Sequence, residues 1–294
     1  MLVCGPTIYN YFPLNLPSPA PKEGLKVMTF NTHCFGNLED GIEINDAKGN
    51  NVVAKFIMEK APDLVGYQEG VAPKKFKANV QPLLNRHGYY ADSVSFSGNR
   101  LGCFSKFPIA EKQVLCQNDG NGAVLFKLLP PQQDTIFFIV AHLQTMRLNK
   151  EDRKDFLKNI SQLLPDELAE QFTFDPFWRI AKKIATSSAP RAQQADKLAQ
   201  FIESHADRRI ILCGDFNDTP VSYTYRTIRQ AGPLDDAFVA TGNGMGRTFN
   251  KNAMMVRIDH IFYNANVWSA HASRIHDEKE MSDHYAVTTC LQEL

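Results

Sequence analysis

Short apolar runs along this chain end repeatedly in polar residues. LKVMTFN, from Leu25, alternates apolar and polar positions and predicts a strand that closes near Asn31. Between Asn51 and Lys60, Val52, Val53, Phe56 and Ile57 recur at helical spacing, and Pro62 stops the helix. DLVGYQEG predicts a buried strand ending in Gln68 and Glu69, and Lys74 to Arg86 reads as helix. RLGCFSKFP, AEKQVLCQ, GAVLFKLLP and TIFFIVAHLQ, separated by turn residues, predict an antiparallel meander. Residues 150–206 are helical in pattern, divided by Pro165, Pro176 and Pro190, with a break and restart at SSAP. RIILCGDFN predicts the next strand, Ser222 to Gln230 a short helix, and RIDHIFY, VWSAHASRI and HYAVTTCLQ three closing strands. Strands in both halves with helices between them predict two sheets packed face to face under helices.

Residues 1–24 break the pattern. They are proline-rich and aperiodic and predict an arm or linker ahead of a single domain over 25–294. No stretch reaches the ~18 apolar residues of a membrane helix, though such an arm suits a tether behind a membrane segment upstream of residue 1. A hydrophobic fraction of 44% supplies a core, and a formal net charge of zero argues against gripping long nucleic acid by bulk electrostatics. The six cysteines include no C-x-x-C pair and sit largely in apolar runs, which predicts buried thiols.

The chemistry lies at the strand ends: Asn31, Glu69, His142, Asp215 with Asn217, Asp259, and Asp283 with His284. Taken singly, His142 reads as a core histidine and SDH as a turn. Taken together they demand partners, because charged groups are rarely buried unpaired. Asp215 and Asn217, two apart on an extended chain, project to one side. Glu69, Asp215 and Asp283 offer hard oxygen ligands and Asn31 a neutral one, a set suited to magnesium or manganese and poor for zinc. His284 with Asp259 makes an imidazole held in one tautomer, and His142 adds a second imidazole. A divalent cation beside such a pair points to hydrolysis of a phosphate ester.

TFN at 29–31, PDLVGYQE at 62–69, AHLQ at 141–144, GDFND at 214–218, RIDHIF at 257–262 and SDH at 282–284 stand in an order known elsewhere. Across roughly residues 25–292 the chain resembles the endonuclease/exonuclease/phosphatase superfamily. The resemblance implies a four-layer α/β sandwich with two mainly antiparallel central sheets flanked by helices. It implies Glu69 as principal metal ligand, Asn31 beside it and Asp283 in support. His284, oriented by Asp259, would act as general base or hold the phosphate. Asp215 would orient the attacking water or assist the leaving group. Asn217 and His142 would bind phosphate oxygens. The substrate expected is a small or lipid-linked phosphate ester; a nuclease acting on nucleic acid and a catalytically silent binding scaffold are the alternatives. One departure is His33, which stands where several nucleases carry an acid. Lys106, Arg147, Arg226 and Arg257 are candidates to line a phosphate pocket, and Tyr223 and Tyr225 to wall the site. Phe172, Phe174, Phe177 and Trp178 are candidates to cap the cleft or meet a membrane surface.

Overall fold

Each apolar run read as a strand forms one in the computed structural model, which describes residues 5–36, 45–146, 175–249, 256–277 and 281–294. The first sheet contains β1 (Leu25–Asn31), β2 (Leu64–Gln68), β3 (Tyr90–Phe96), β4 (Asn99–Ser105), β11 (Trp268–His276) and β12 (Ala286–Glu293), in the order β11-β12-β1-β2-β4-β3. The second contains β5 (Ile109–Asn118), β6 (Asn121–Leu128), β7 (Ile136–His142), β8 (Arg209–Asp215), β9 (Leu234–Asp236) and β10 (Asp259–Asn264), in the order β5-β6-β7-β8-β10-β9. Both are mixed: β1–β2 and β7–β8 pair in parallel and the rest are antiparallel. The expected four-stranded meander is therefore divided. β4 pairs with β2 and β3 in the first sheet, while β5, β6 and β7 form the meander of the second. β3 escaped the sequence pattern because it is a largely exposed edge strand, YADSVSF, and β9 because it has only three residues.

Alternation along the strands builds the layers. On β8, Ile211 and Cys213 face the first sheet while Ile210 and Leu212 face helices. The core between the sheets joins Val27 and Leu64 to Val140, Ile211, Cys213 and Ile261. Outside the first sheet, Met28, Phe30, Val65 and Tyr67 pack under α2 (Val52–Lys60) and α4 (Gln81–Arg86), which follows the short α3 (Pro73–Asn79). Outside the second, Ile139, Ile210, Leu212 and Phe262 pack under α5 (Asp175–Glu203) and α6 (Tyr223–Gln230). The result is the expected four-layer sandwich.

Two local readings change. The helix α5 runs through Pro190 without a restart. Proline removes a backbone donor, yet the helix continues past it; just before it the hydroxyls of Thr186, Ser187 and Ser188 donate to the carbonyls of Lys182, Lys183 and Ile184, one turn back. The residue after the proline, Arg191, is buried and ties α5 to the strand ends through the Gln144 carbonyl at 2.7 Å and Asp218 at 3.0 Å.

The N-terminal arm carries a helix, α1 (Gly5–Tyr11), and is fastened to the domain near α7 (Ala237–Thr241). Asn15 donates to the carbonyls of Val239 at 3.0 Å and Gly242 at 2.6 Å. The guanidinium of Arg257, 1% exposed, lies over the Phe238 ring and donates to the carbonyls of Asn10 and Met245. Removing residues 1–16 should therefore destabilise the protein by ~1–3 kcal/mol, because a buried cation loses an acceptor. Thermal denaturation of the trimmed and full chains checks this; equal midpoints would show that the arm adds nothing. No described helix is long and apolar enough to cross a membrane.

Candidate active site

The strand alternation that buries the inter-sheet core also aims the polar strand ends. Positions 27, 29 and 31 on β1 share the face of Val27, 138, 140 and 142 on β7 that of Val140, and 211, 213 and 215 on β8 that of Cys213. Asn31, His142, Asp215 and Asp259 thus continue the apolar stripe at one edge of the sandwich, where it turns polar. Register brings them abreast: His142 pairs with Asp215 across the parallel β7–β8 ladder, and Asp259 with Asp215 across β8–β10. Glu69 and Asn217 lie just past the carboxyl ends of β2 and β8, both with left-handed φ of 51°. Such backbone costs ~1–3 kcal/mol in a residue with a side chain and persists only where the surroundings impose it. Here Glu69 is held by hydrogen bonds to its carbonyl from Cys34 N and Thr32 Oγ1, and Asn217 by Asp215 Oδ1 at 2.8 Å and the Leu143 carbonyl at 3.0 Å.

The SDH turn supplies the remaining groups. Ser282 Oγ donates to the Asn31 carbonyl at 2.7 Å and accepts from His284 N at 3.2 Å, which fixes the turn against the end of β1. His284 Nδ1 then lies 2.8 Å from Asp259 Oδ2, with Nε2 3.6 Å from Asp215 Oδ2. His142 Nε2 approaches Asp215 Oδ2 at 3.6 Å and Glu69 Oε1 at 3.8 Å. Asn31 Nδ2 links Glu69 at 3.1 Å to Asp215 at 3.0 Å. His33 Nδ1 lies 3.0 Å from Asp283 Oδ1 and 3.9 Å from Glu69 Oε2.

Burial and charge compete in these pairs. Burial alone would lower His284, but Asp259 and Asp215 outweigh it and push the imidazole up to about 10. Burial raises Asp259 against the attraction of His284. Burial likewise opposes the charge on Asp283, yet the hydrogen bond with His33 and the His284 charge hold it down at about 2. That hydrogen bond raises His33 in turn, against burial. Asp259 Oδ1 is buried with no hydrogen-bond partner, and ligand atoms of Asp215, Asp259 and His284 lie within 4.8 Å of one another, a group that could hold a metal ion.

These residues open on a cleft of about 170 Å³. Glu69, His142, Asp215, Asn217, Asp283 and His284 form its polar side, and Met146, Phe249, Val256 and Ile258 an apolar wall. Asn31 and Asp259 stand behind, held to Glu69, Asp215 and His284. The basic candidates lie elsewhere. Lys106 sits over the Tyr89 ring, Arg226 bonds its own helix start at Ser222, and Arg257 fastens the arm; Arg147 lies outside the described residues. Tyr225 is buried with its hydroxyl on Asp236 at 2.8 Å, and Tyr223 points outward to Asp196. His260 packs among Phe216, Tyr225 and Phe262 on the helix side of β10. Trp178 is exposed, while Phe172 and Phe174 lie outside the described residues. Sequence reasoning missed the apolar wall and two residues that touch the histidines. Phe249 lies edge-on to His284 at 5.1 Å, and Asn99, hidden in the turn signal SGN, meets His142 at 2.9 Å.

A family model described as the endonuclease/exonuclease/phosphatase family matches residues 28–284. No curated protein matches the chain by sequence. Solved structures do match in fold. The human Nocturnin catalytic domain with bound sulfate has TM-score 0.63 at 16% identity, covering 92% of this chain and 94% of that one. Truncated Caenorhabditis elegans TDP2 has 0.61 at 14%, covering 93% and 99%. An endonuclease/exonuclease/phosphatase from Bacteroides vulgatus has 0.62 at 18%, covering 93% and 100%.

Proposed function

Because the chain belongs to the endonuclease/exonuclease/phosphatase family, we propose that its cleft hydrolyses a phosphate ester with the help of a divalent cation. The observation that carries this reading is the line Asp259–His284–Asp215, at 2.8 and 3.6 Å, opening beside Glu69 in one cleft.

The residues fit a cation. Three carboxylates, Glu69, Asp215 and Asp283, line the cleft, and neither lysine nor arginine does among the described residues. A phosphate entering there meets negative charge unless a cation offsets it. Glu69, with its side chain 32% exposed, and Asp283 would hold magnesium or manganese with Asn31 beside them, whereas Asp259 is committed to His284. Asn31 now presents its amide nitrogen to both acids; a half-turn of the amide would present its oxygen. When bound, such an ion polarises the phosphoryl group and neutralises its charge.

The side chains divide the remaining work. Asp259 accepts from His284 Nδ1 and turns Nε2 into the cleft. The two carboxylates favour the protonated ring, which suits it to hold a phosphoryl oxygen. Asp215 orients the water, and Asn217 and His142 meet the phosphate from the second sheet. The apolar wall of Met146, Phe249, Val256 and Ile258 supports a small or lipid-linked phosphate ester as substrate.

Hydrolysis of an aryl phosphodiester with and without magnesium or manganese tests the reading. Activity should require the metal and vary little with salt. A steep fall in activity with salt would instead favour a nuclease, whose substrate binding releases counterions. Glu69→Ala should weaken metal affinity by at least ~10-fold, measured by calorimetric titration. An unchanged titration would remove Glu69 from the ligand set.

A further inference from the structure

The histidine of the second sheet has a neighbour that decides where its proton sits. Asn99 is the first residue of β4, after a turn in which Ser97 and Gly98 take φ of 39° and 89°. Its amide lies 2.9 Å from His142 Nδ1. The orientation of an Asn amide is decided by its hydrogen-bond network, and here the network is unambiguous. The backbone N–H of Arg100 donates to Asn99 Oδ1 at 2.8 Å. The oxygen is therefore engaged, and the amide NH2 faces the ring. An NH2 group only donates, so Nδ1 must carry the lone pair.

We propose that Asn99 is a positioning residue that selects the Nε2–H tautomer of His142 and so makes this ring a hydrogen-bond donor in the cleft. The other face of the ring agrees with that assignment. Nε2 looks toward Asp215 Oδ2 at 3.6 Å and Glu69 Oε1 at 3.8 Å. A lone pair there would face two acids; an N–H is attracted by both.

The two histidines of the site are thus built with opposite polarity. His284 Nδ1 faces a carboxylate, Asp259, to which it donates. His142 Nδ1 faces a donor, so its Nε2 keeps its hydrogen. His142 supplies a fixed donor to a phosphoryl oxygen. The phosphate in that last role rests on the proposed phosphoesterase function; the proton's position does not.

The test uses the full chain with isotope-labelled histidine and ring-nitrogen NMR in mildly alkaline buffer. His142 is assigned by the loss of its signals in His142→Gln. Wild-type His142 should show a protonated Nε2 and a bare Nδ1. Asn99→Asp keeps an oxygen for Arg100 N–H and turns the second oxygen to the ring, so it should draw the proton to Nδ1. The same variant should lose ~10²-fold in kcat with a smaller change in KM, as for loss of one preorganised donor. Asn99→Ala, which removes the amide without supplying a carboxylate, should show mixed tautomers and a smaller loss. A wild-type ring protonated on Nδ1 overturns the proposal. So does an Asn99→Asp protein whose tautomer and kcat both match wild type. The spectrum needs no substrate, so an Nε2–H ring in a wild type that hydrolyses no phosphodiester upholds the tautomer and counts against the proposed function alone.

Discussion

Replacing His284 by alanine should lower phosphoester turnover by at least ~10², or about 2.7 kcal/mol of transition-state stabilisation. The ring joins the SDH turn of the first sheet to Asp259 on β10 of the second at hydrogen-bond distance, while Nε2 faces the cleft. The variant also has a cost in stability. Asp259 is fully buried on its side chain and would be left beside Asp215 without the imidazole. Breaking a buried pair on one side typically costs ~3–5 kcal/mol. Asp259→Asn in the same chain removes the stranded charge. The double variant should regain stability but no rate, since groups acting as a unit are not additive. Turnover with saturating metal and thermal midpoints of the single and double variants decide the matter. A single variant with near-wild-type turnover would end the proposed role.

Gly214→Ala should cost ~3–5 kcal/mol, a large share of the ~5–15 kcal/mol that holds a domain together. At φ +150° this residue lies where side chains are strained, and an added Cβ would sit 1.9 Å from the Ala141 carbonyl oxygen. The obstacle is backbone of β7, which cannot swing aside as a side chain can. Relief would require β7 and β8 to part at the point where His142 and Asp215 stand in register, so activity should fall with stability. Gly49→Ala is the control: its φ is +77°, but nothing lies within 4 Å. It should cost only the backbone strain, ~1 kcal/mol. Denaturant unfolding of the two variants separates conformation from contact. Equal, small losses would show that the close approach at Gly214 is harmless.

Most of the architecture was legible because buried strands announce themselves as apolar runs, and the strands holding the site are among the most apolar. What escaped was set by neighbours rather than by local pattern. The exposed edge strand β3 lacks an apolar face, and the helix through Pro190 is tied to the strand ends by Arg191, whose partners Gln144 and Asp218 are distant in sequence. The acids, amides and histidines at the strand ends could be chosen from sequence, since apolar strands rarely finish in charge without a reason. Their division of labour could not. Asn99 reads as an ordinary turn residue until the second sheet brings His142 to it, and His33 shows its partner, Asp283, only when the SDH turn folds onto β1. Arg257, a candidate for phosphate, proved to be bound to the arm, because its neighbours Val256 and Ile258 take the cleft side.

The cleft lies along the seam between the sheets, and behind it Gly66 of the first sheet admits Cys213 and Val140 of the second so closely that a Cβ would fall 2.4 Å from the sulfur. Asn31 and Glu69 belong to one side of that seam, His142, Asp215 and Asp259 to the other. The geometry of the site is therefore a measure of how the two sheets are seated, much as a vernier reads the offset of two scales. A shift of the sheets too small to break a single strand would still misalign every pair across the site.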